Sequence, residues 1–337
     1  MLAETLTPSA IVEKLDQYVI GQEEAKRIVA VAVYTHFKKL ARAEREDSIV
    51  AKSNILLIGS SGTGKTLLCD TLSRILGVPF VTAEATSLAQ TRFVNDEIEA
   101  ILQRLLDKAS DDVERAQRGI VFIDEIDKLK APEGRSGGTS GESVQHALLK
   151  IMEGAPVKLG DGRVLDTTNV LFVCGGAFVG LDDIIKSQTH NYGFIATSRS
   201  DDQKILDRLN SRVKPTDLFE FGLIPEFTGR LPIVARFQDL NRKALARIMT
   251  EPRDAIYTQF REIFRNEGVE LTVEPLVFEQ IAELALEYKT GARSLRGIFE
   301  ELIAPVMYMI PDHAEIAEVK LRSMFAPPAL VRRTAAS

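Results

Sequence analysis

The sequence predicts an α/β domain built on a parallel sheet and followed by a smaller, mostly helical domain. Three observations point there: short continuous apolar runs ending in glycine or aspartate, helical apolar spacing between them, and helix-dominated patterning after residue 237. Residues 54–59 (NILLIG) form the first run, and the next residues place Leu67, Leu68, Thr71, Leu72, Ile75 and Leu76 on one helical face. This reads as buried strand, loop, helix. Residues 79–83 (PFVTA), 120–124 (IVFID) and 169–176 (NVLFVCGG) read as further buried parallel strands, because a strand covered on both faces shows no polar alternation. Between them Ile98, Ile101, Leu102, Leu105, Leu106, Ala109 and Val113 recur at helical spacing.

After IVARF (233–237), helices are expected at about 241–251, 253–266, 275–288 and 293–309, with short strands at 269–273 and 318–321 making a small mixed sheet. The large domain is therefore expected over residues 1–235 and the small domain over 236–323. The Pro/Ala-rich end, 324–337, lacks periodicity and is expected to fray. Residues 133–143 are rich in glycine and serine and read as a flexible loop, and the polar, aperiodic stretch 186–202 reads as a second, longer one.

Composition sets the class. With 45% hydrophobic and 27% charged residues over 337 positions, the chain matches ordinary globular proteins and is long enough for two cores. A formal net charge of -6 gives no basic footprint for nucleic-acid phosphates. The two cysteines, Cys69 and Cys174, are far apart in apolar runs and show no zinc-ligand spacing, so they read as buried reduced thiols. No apolar run approaches the ~20 residues that a membrane helix needs, and the start lacks a leader pattern. A soluble, cytoplasmic protein is expected.

Two motifs carry chemistry. Gly59-Ser60-Ser61-Gly62-Thr63-Gly64-Lys65-Thr66 follows a predicted strand and opens a predicted helix, the context that a phosphate-binding P-loop requires. Its glycines let backbone N–H groups face phosphates, Lys65 suits the β- and γ-phosphates, and the Thr66 hydroxyl suits magnesium. Asp124 and Glu125 end a buried strand, where ligands of open α/β sheets bind. Asp124 suits the magnesium shell, directly or through water, and Glu125 suits a general base acting on water. ATP and Mg2+ are the expected cofactors.

Further segments fall in a recognisable order: Asp16-Gln17-Tyr18-Val19-Ile20-Gly21-Gln22, the P-loop, Asp124-Glu125-Ile126-Asp127-Lys128, Gly175-Gly176-Ala177-Phe178, residues 222–230 (GLIPEFTGR) and Thr290-Gly291-Ala292-Arg293. Over about residues 8–312 the chain resembles the ClpX-type AAA+ ATPases, without their N-terminal zinc-binding domain. Lys65 and Asp124 lie too close in sequence for the domain that the related HslU family inserts there. The resemblance implies an AAA+ P-loop large domain with a helical small domain, ATP bound between them, and a homo-oligomeric, hexameric ring. That ring would unfold protein substrates by threading them through its pore, for delivery to a ClpP-like peptidase. Residue by residue, it implies that Val19 and Ile20 contact adenine. It makes Arg230 the arginine finger given to a neighbour's ATP and Arg293 the second sensor.

The chain also departs from the family pattern. Where ClpX-type proteins grip substrate with Gly-Tyr-Val-Gly, this sequence has Arg92-Phe93-Val94-Asn95, keeping the aromatic-hydrophobic pair Phe93 and Val94 and losing both glycines. The other possible role for Phe93 is a buried anchor of the following helix. The peptidase-docking Ile-Gly-Phe corresponds to Tyr192-Gly193-Phe194, and the basic entrance loop is missing from the short segment 157–168. The strand end at Cys174 offers no clear first sensor. Two other readings stay open from the sequence: a regulatory or scaffold subunit with weak unfolding, and a nucleic-acid motor, which the acidity disfavours.

Overall fold

The computed structural model describes residues 6–46, 53–91, 93–130, 141–191 and 212–333. The chain divides into two compact units, one of residues 1–11, 24–60 and 69–236, the other of residues 12–23, 61–68 and 237–337.

The first unit is built on strands β1 (Ile55–Ile58), β2 (Phe80–Glu84), β3 (Ile120–Asp124), β6 (Leu171–Gly176) and β7 (Ile233–Arg236). They lie in the order β2-β3-β6-β1-β7, and every pairing is parallel. Every residue of β1 and β6, and all of β3 before Asp124, is buried, which is why these strands read as unbroken apolar runs. Register aligns their ends: Glu84 lies opposite Asp124, Ile123 opposite Cys174, and Ile58 opposite both Gly176 and Arg236. Gly59, Asp124 and the Gly175-Gly176 pair consequently share the carboxyl edge of the sheet.

Helix α5 (Val94–Lys108) buries Ile98, Ile101, Leu102, Leu105 and Leu106 in a core shared with Val81, Val121 and Ile123. Helix α7 (Gly141–Glu153) adds Val144, Leu148, Ile151 and Met152. Next to it, β4 (Pro156–Lys158) and β5 (Val164–Asp166) pair as an antiparallel hairpin, in strands too short for alternation to reveal. Helix α8 (Leu181–Asn191) corrects the sequence reading of a loop beginning at 186, since its polar residues are helical to Asn191. Residues 192–202 and 133–140 of the two expected loops lie outside the described residues.

In the second unit, helices α11 (Arg242–Thr250), α12 (Ile256–Asn266), α13 (Pro275–Glu287) and α14 (Leu295–Met309) surround Phe260, Phe264, Phe278 and Phe299. Strand β8 (Glu270–Val273) pairs parallel with β9 (Ile316–Leu321), and β10 (Ala329–Arg332) pairs antiparallel with β9. This third strand corrects the expectation of a frayed end. Ala-Leu-Val-Arg completes the sheet edge, and Arg333 N–H continues the contact by donating to the Glu315 carbonyl at 2.7 Å. Prolines just before it hid the strand, because they break any alternating pattern.

Candidate functional site

The P-loop backbone has the conformation its glycines permit. Gly62 and Gly64 have φ of +78° and +99°, where a side chain would be strained, and a Cβ on Gly62 would collide with the Thr290 carbonyl oxygen. Gly59 N–H donates to the Gly176 carbonyl at 3.1 Å, tying the loop's first residue to the end of β6. Helix α3 (Lys65–Leu76) starts within the motif; Thr63 and Lys65 are buried, while Ser60, Ser61 and Thr66 are more open.

Within the second unit, three sequence-predicted elements meet around residues 61–68. Ala292 N–H donates to the Gly62 carbonyl at 3.2 Å, which brings the Thr290–Arg293 segment to the loop, with Arg293 exposed in a short turn, Gly291–Ser294. Val19 and Ile20 are buried in the segment ahead of Gln22. Gln22, which the sequence marked only as the end of that segment and gave no role, makes the link: its amide nitrogen donates to the carbonyls of Thr63, at 3.3 Å, and Gln238, at 2.8 Å. Its amide oxygen accepts Gln238 N–H at 2.8 Å. One side chain thus ties the segment that carries Val19 and Ile20 to Thr63 of the Gly59–Thr66 loop.

In the first unit, Asp124 and Glu125 occupy the end of β3 in distinct conformations. Glu125 sits in the left-handed region with φ of 61°, an uncommon state for a non-glycine residue and one that recurs at catalytic positions. Its N–H donates to Asp124 Oδ1 at 2.9 Å, and Thr86 Oγ1 donates to its Oε2 at 3.4 Å from helix α4 (Ala85–Gln90), which directly follows β2. Thr86 therefore orients the Glu125 carboxylate, a contact without any signal in the sequence. Cys69, one turn beyond Thr66 on α3, is fully buried; burial pushes its thiol up, and the negative charge of Asp124 adds to the effect.

The two glycines after Cys174 make room for carboxylates. A Cβ on Gly175 would lie 2.7 Å from Phe122 Cζ and 2.9 Å from Asp124 Oδ1, and one on Gly176 would lie 2.6 Å from Asp127 Oδ1. Buried Asp127 in turn accepts Phe178 N–H at 3.2 Å, fixing the Gly175–Phe178 segment to the turn after Glu125. Cys174 itself is fully buried, with its thiol pushed up by burial, so it presents no polar group as a first sensor. Gly175→Ala should therefore destabilise the protein by about 1–3 kcal/mol through overpacking. By displacing Asp124 it should also lower ATP turnover roughly tenfold or more; denaturant melts and steady-state hydrolysis measure the two effects.

Arg230 is exposed, and its guanidinium Nη2 meets Glu153 Oε1 at 2.6 Å, so none of these described contacts is to a nucleotide-motif residue. Phe93 is 67% exposed just ahead of α5, whereas Val94 packs partly into the core. Phe93 is therefore not a buried anchor of α5, while Val94 packs partly against the core. Arg92 and the Tyr192-Gly193-Phe194 tripeptide lie outside the described residues.

A family model described as an AAA domain (Cdc48 subfamily) matches residues 50–234, and one described as the C-terminal, D2-small domain of ClpB protein matches residues 240–321. The Methylococcus capsulatus protein named ATP-dependent Clp protease ATP-binding subunit ClpX 3 is 44% identical, across 92% of this chain and 78% of that protein. The chain belongs to the ClpX family. ClpX subunits of Azotobacter vinelandii and Treponema denticola are also 44% identical, across 92% and 91% of this chain and 76% and 78% of theirs. ClpX membership makes the chain a nucleotide-binding AAA+ ATP hydrolase of the Clp unfoldase type. Among the described residues no helix is long and apolar enough to cross a membrane.

Proposed function

We propose that this ClpX-family chain assembles into a homo-oligomeric, hexameric ring and threads protein substrates through its centre, with Phe93 as the gripping side chain. The observation that carries this reading is the exposure of Phe93 just ahead of a helix that buries Ile98, Ile101, Leu102, Leu105 and Leu106. A large ring with few rotatable bonds holds many sequences at low entropic cost. In the nucleotide site Val19 and Ile20 contact adenine. The backbone of Gly59 to Gly64 cradles the phosphates, Lys65 neutralises them, and Arg293 senses them from the small domain.

The donor set suits magnesium: the Thr66 hydroxyl and the Asp124 carboxylate are hard oxygen ligands, few enough for a cation that also keeps phosphates and water. When bound, magnesium neutralises charge on the β- and γ-phosphates. Glu125, held by Thr86, takes a proton from the attacking water, and Arg230 of an adjacent subunit offsets charge on the transferring phosphoryl group. A ClpP-like peptidase docked through Tyr192, Gly193 and Phe194 is the proposed recipient, and the cytoplasm is the proposed compartment. The relatives' designation as Clp protease subunits supports the former.

Stimulation of ATP hydrolysis by an unfoldable tagged protein tests this reading, and hydrolysis indifferent to protein substrates would reject it. Phe93→Ala should lower unfolding per ATP hydrolysed at least tenfold, by analogy with truncating an aromatic binding anchor, while Phe93→Tyr should preserve it. Parallel records of substrate unfolding and phosphate release measure the ratio. A second reading has one observation in its favour: Asn95, which stands where the family has glycine, is already helical in α5, leaving less loop to move. A regulatory subunit with weak unfolding would hydrolyse ATP normally yet unfold little.

A further inference from the structure

Helix α7 carries a buried amide that binds two backbone segments at once. Gln145 is fully buried among Val144, Leu148, Ile151 and Met152. An apolar side chain of that size would fill the space without desolvating a polar group, so an amide there has to be matched at both ends. It is matched. Gln145 Nε2 donates to the Leu129 carbonyl at 2.9 Å, and its Oε1 accepts Ile224 N–H at 2.8 Å.

The two partners have different places in the chemistry. Leu129 closes the 3-10 turn Ile126–Leu129, whose preceding residue is Glu125. Ile224 precedes helix α10 (Pro225–Gly229), and Arg230 follows it. The far end of that short helix is held to α7 as well. Asn54, buried at the entry to β1, donates to the carbonyls of Met152 at 3.3 Å and Arg230 at 3.1 Å, and Glu153 takes the Arg230 guanidinium. With its start bonded to Gln145 and its end bonded beside Glu153, a five-residue helix has little freedom to move independently of α7.

We propose that Gln145 is a positioning residue that couples the turn bearing a subunit's own Glu125 to the Arg230 that the same subunit offers to its neighbour. The inference rests on the reading of Arg230 as an arginine finger acting between subunits. A shift of the Glu125 turn pulls on Leu129, the amide carries the pull across α7 to Ile224, and the finger is re-aimed. Of the two bonds, the one to Leu129 reports the subunit's own site and the one to Ile224 sets the finger.

The test uses Gln145→Met, which keeps length and removes both bonds, and Gln145→Glu, which keeps an acceptor for Ile224 N–H but opposes a second oxygen to the Leu129 carbonyl. Turnover is expressed per nucleotide-binding subunit, so unfolded molecules are not counted. Alone, the Met variant should lose roughly tenfold or more in kcat with KM changed less than about twofold, the signature of a misaligned group rather than lost substrate binding. Each variant is then diluted into an excess of Glu125→Gln subunits, whose Gln145 and Arg230 are intact. Per-subunit turnover should return to that of the parent diluted in the same way, and Arg230→Ala subunits should recover likewise.

Recovery of Arg230→Ala without recovery of either Gln145 variant would overturn the inference, because Gln145 would then act on its own subunit's site or on folding alone. Parental kcat in undiluted Gln145→Met would overturn it too. Failure of Arg230→Ala to recover while diluted parent turns over would instead remove the finger reading, and the coupling with it.

Discussion

Glu125→Gln subunits should bind ATP as the parent does and hydrolyse it on the order of 10²–10⁴-fold more slowly, the usual contribution of a positioned general base. The amide is isosteric, so Thr86 can still bond to it and the backbone at φ of 61° need not relax. What it lacks is the capacity to take a proton from water. Fluorescent-nucleotide titration and single-turnover hydrolysis separate the two effects. Parental turnover in this variant would take the base role from Glu125.

Arg230→Ala should lower turnover in the assembly by about 10³–10⁵-fold, the range for removing an arginine finger, with the ATP affinity of an isolated subunit nearly unchanged. Loss of folding will not account for it. The Arg230 and Glu153 side chains are 52% and 43% exposed, and an ion pair that open to solvent contributes only about 0–1 kcal/mol. Thermal melts should therefore superimpose on those of the parent while phosphate release falls. A melt shifted as strongly as by a core deletion would assign Arg230 a structural role instead.

The sheet was legible in the sequence because parallel strands buried on both faces leave continuous apolar runs, and β1, β3 and β6 do so. The Gly59–Thr66 loop and the Asp124-Glu125 pair stood out in the sequence because motifs of these kinds fix residue types at short spacing. Gln22, Asn54, Thr86 and Gln145 did not. Each is a single polar residue defined by partners remote in sequence, as Asn54 is by Arg230 and Gln145 by Ile224, and no local period records such a contact. The Gly175-Gly176 pair was visible as letters, but its reason, clearance for Asp124 and Asp127, appears only in space. Short strands failed for a related cause: β4 and β5 have three residues each, fewer than an alternating pattern needs to declare itself. Phe93 and Val94 looked equivalent in sequence, and only the start of α5 at Val94 sends one outward and packs the other inward.

That ATP hydrolysis by this chain drives protein unfolding is tested most directly by following the native fluorescence of a stably folded, tagged protein mixed with the purified chain and ATP. Fluorescence should fall with parent protein and ATP, and should hold steady with Glu125→Gln or without nucleotide. Brisk ATP hydrolysis by the parent with fluorescence undiminished across a range of tags would contradict the unfolding role.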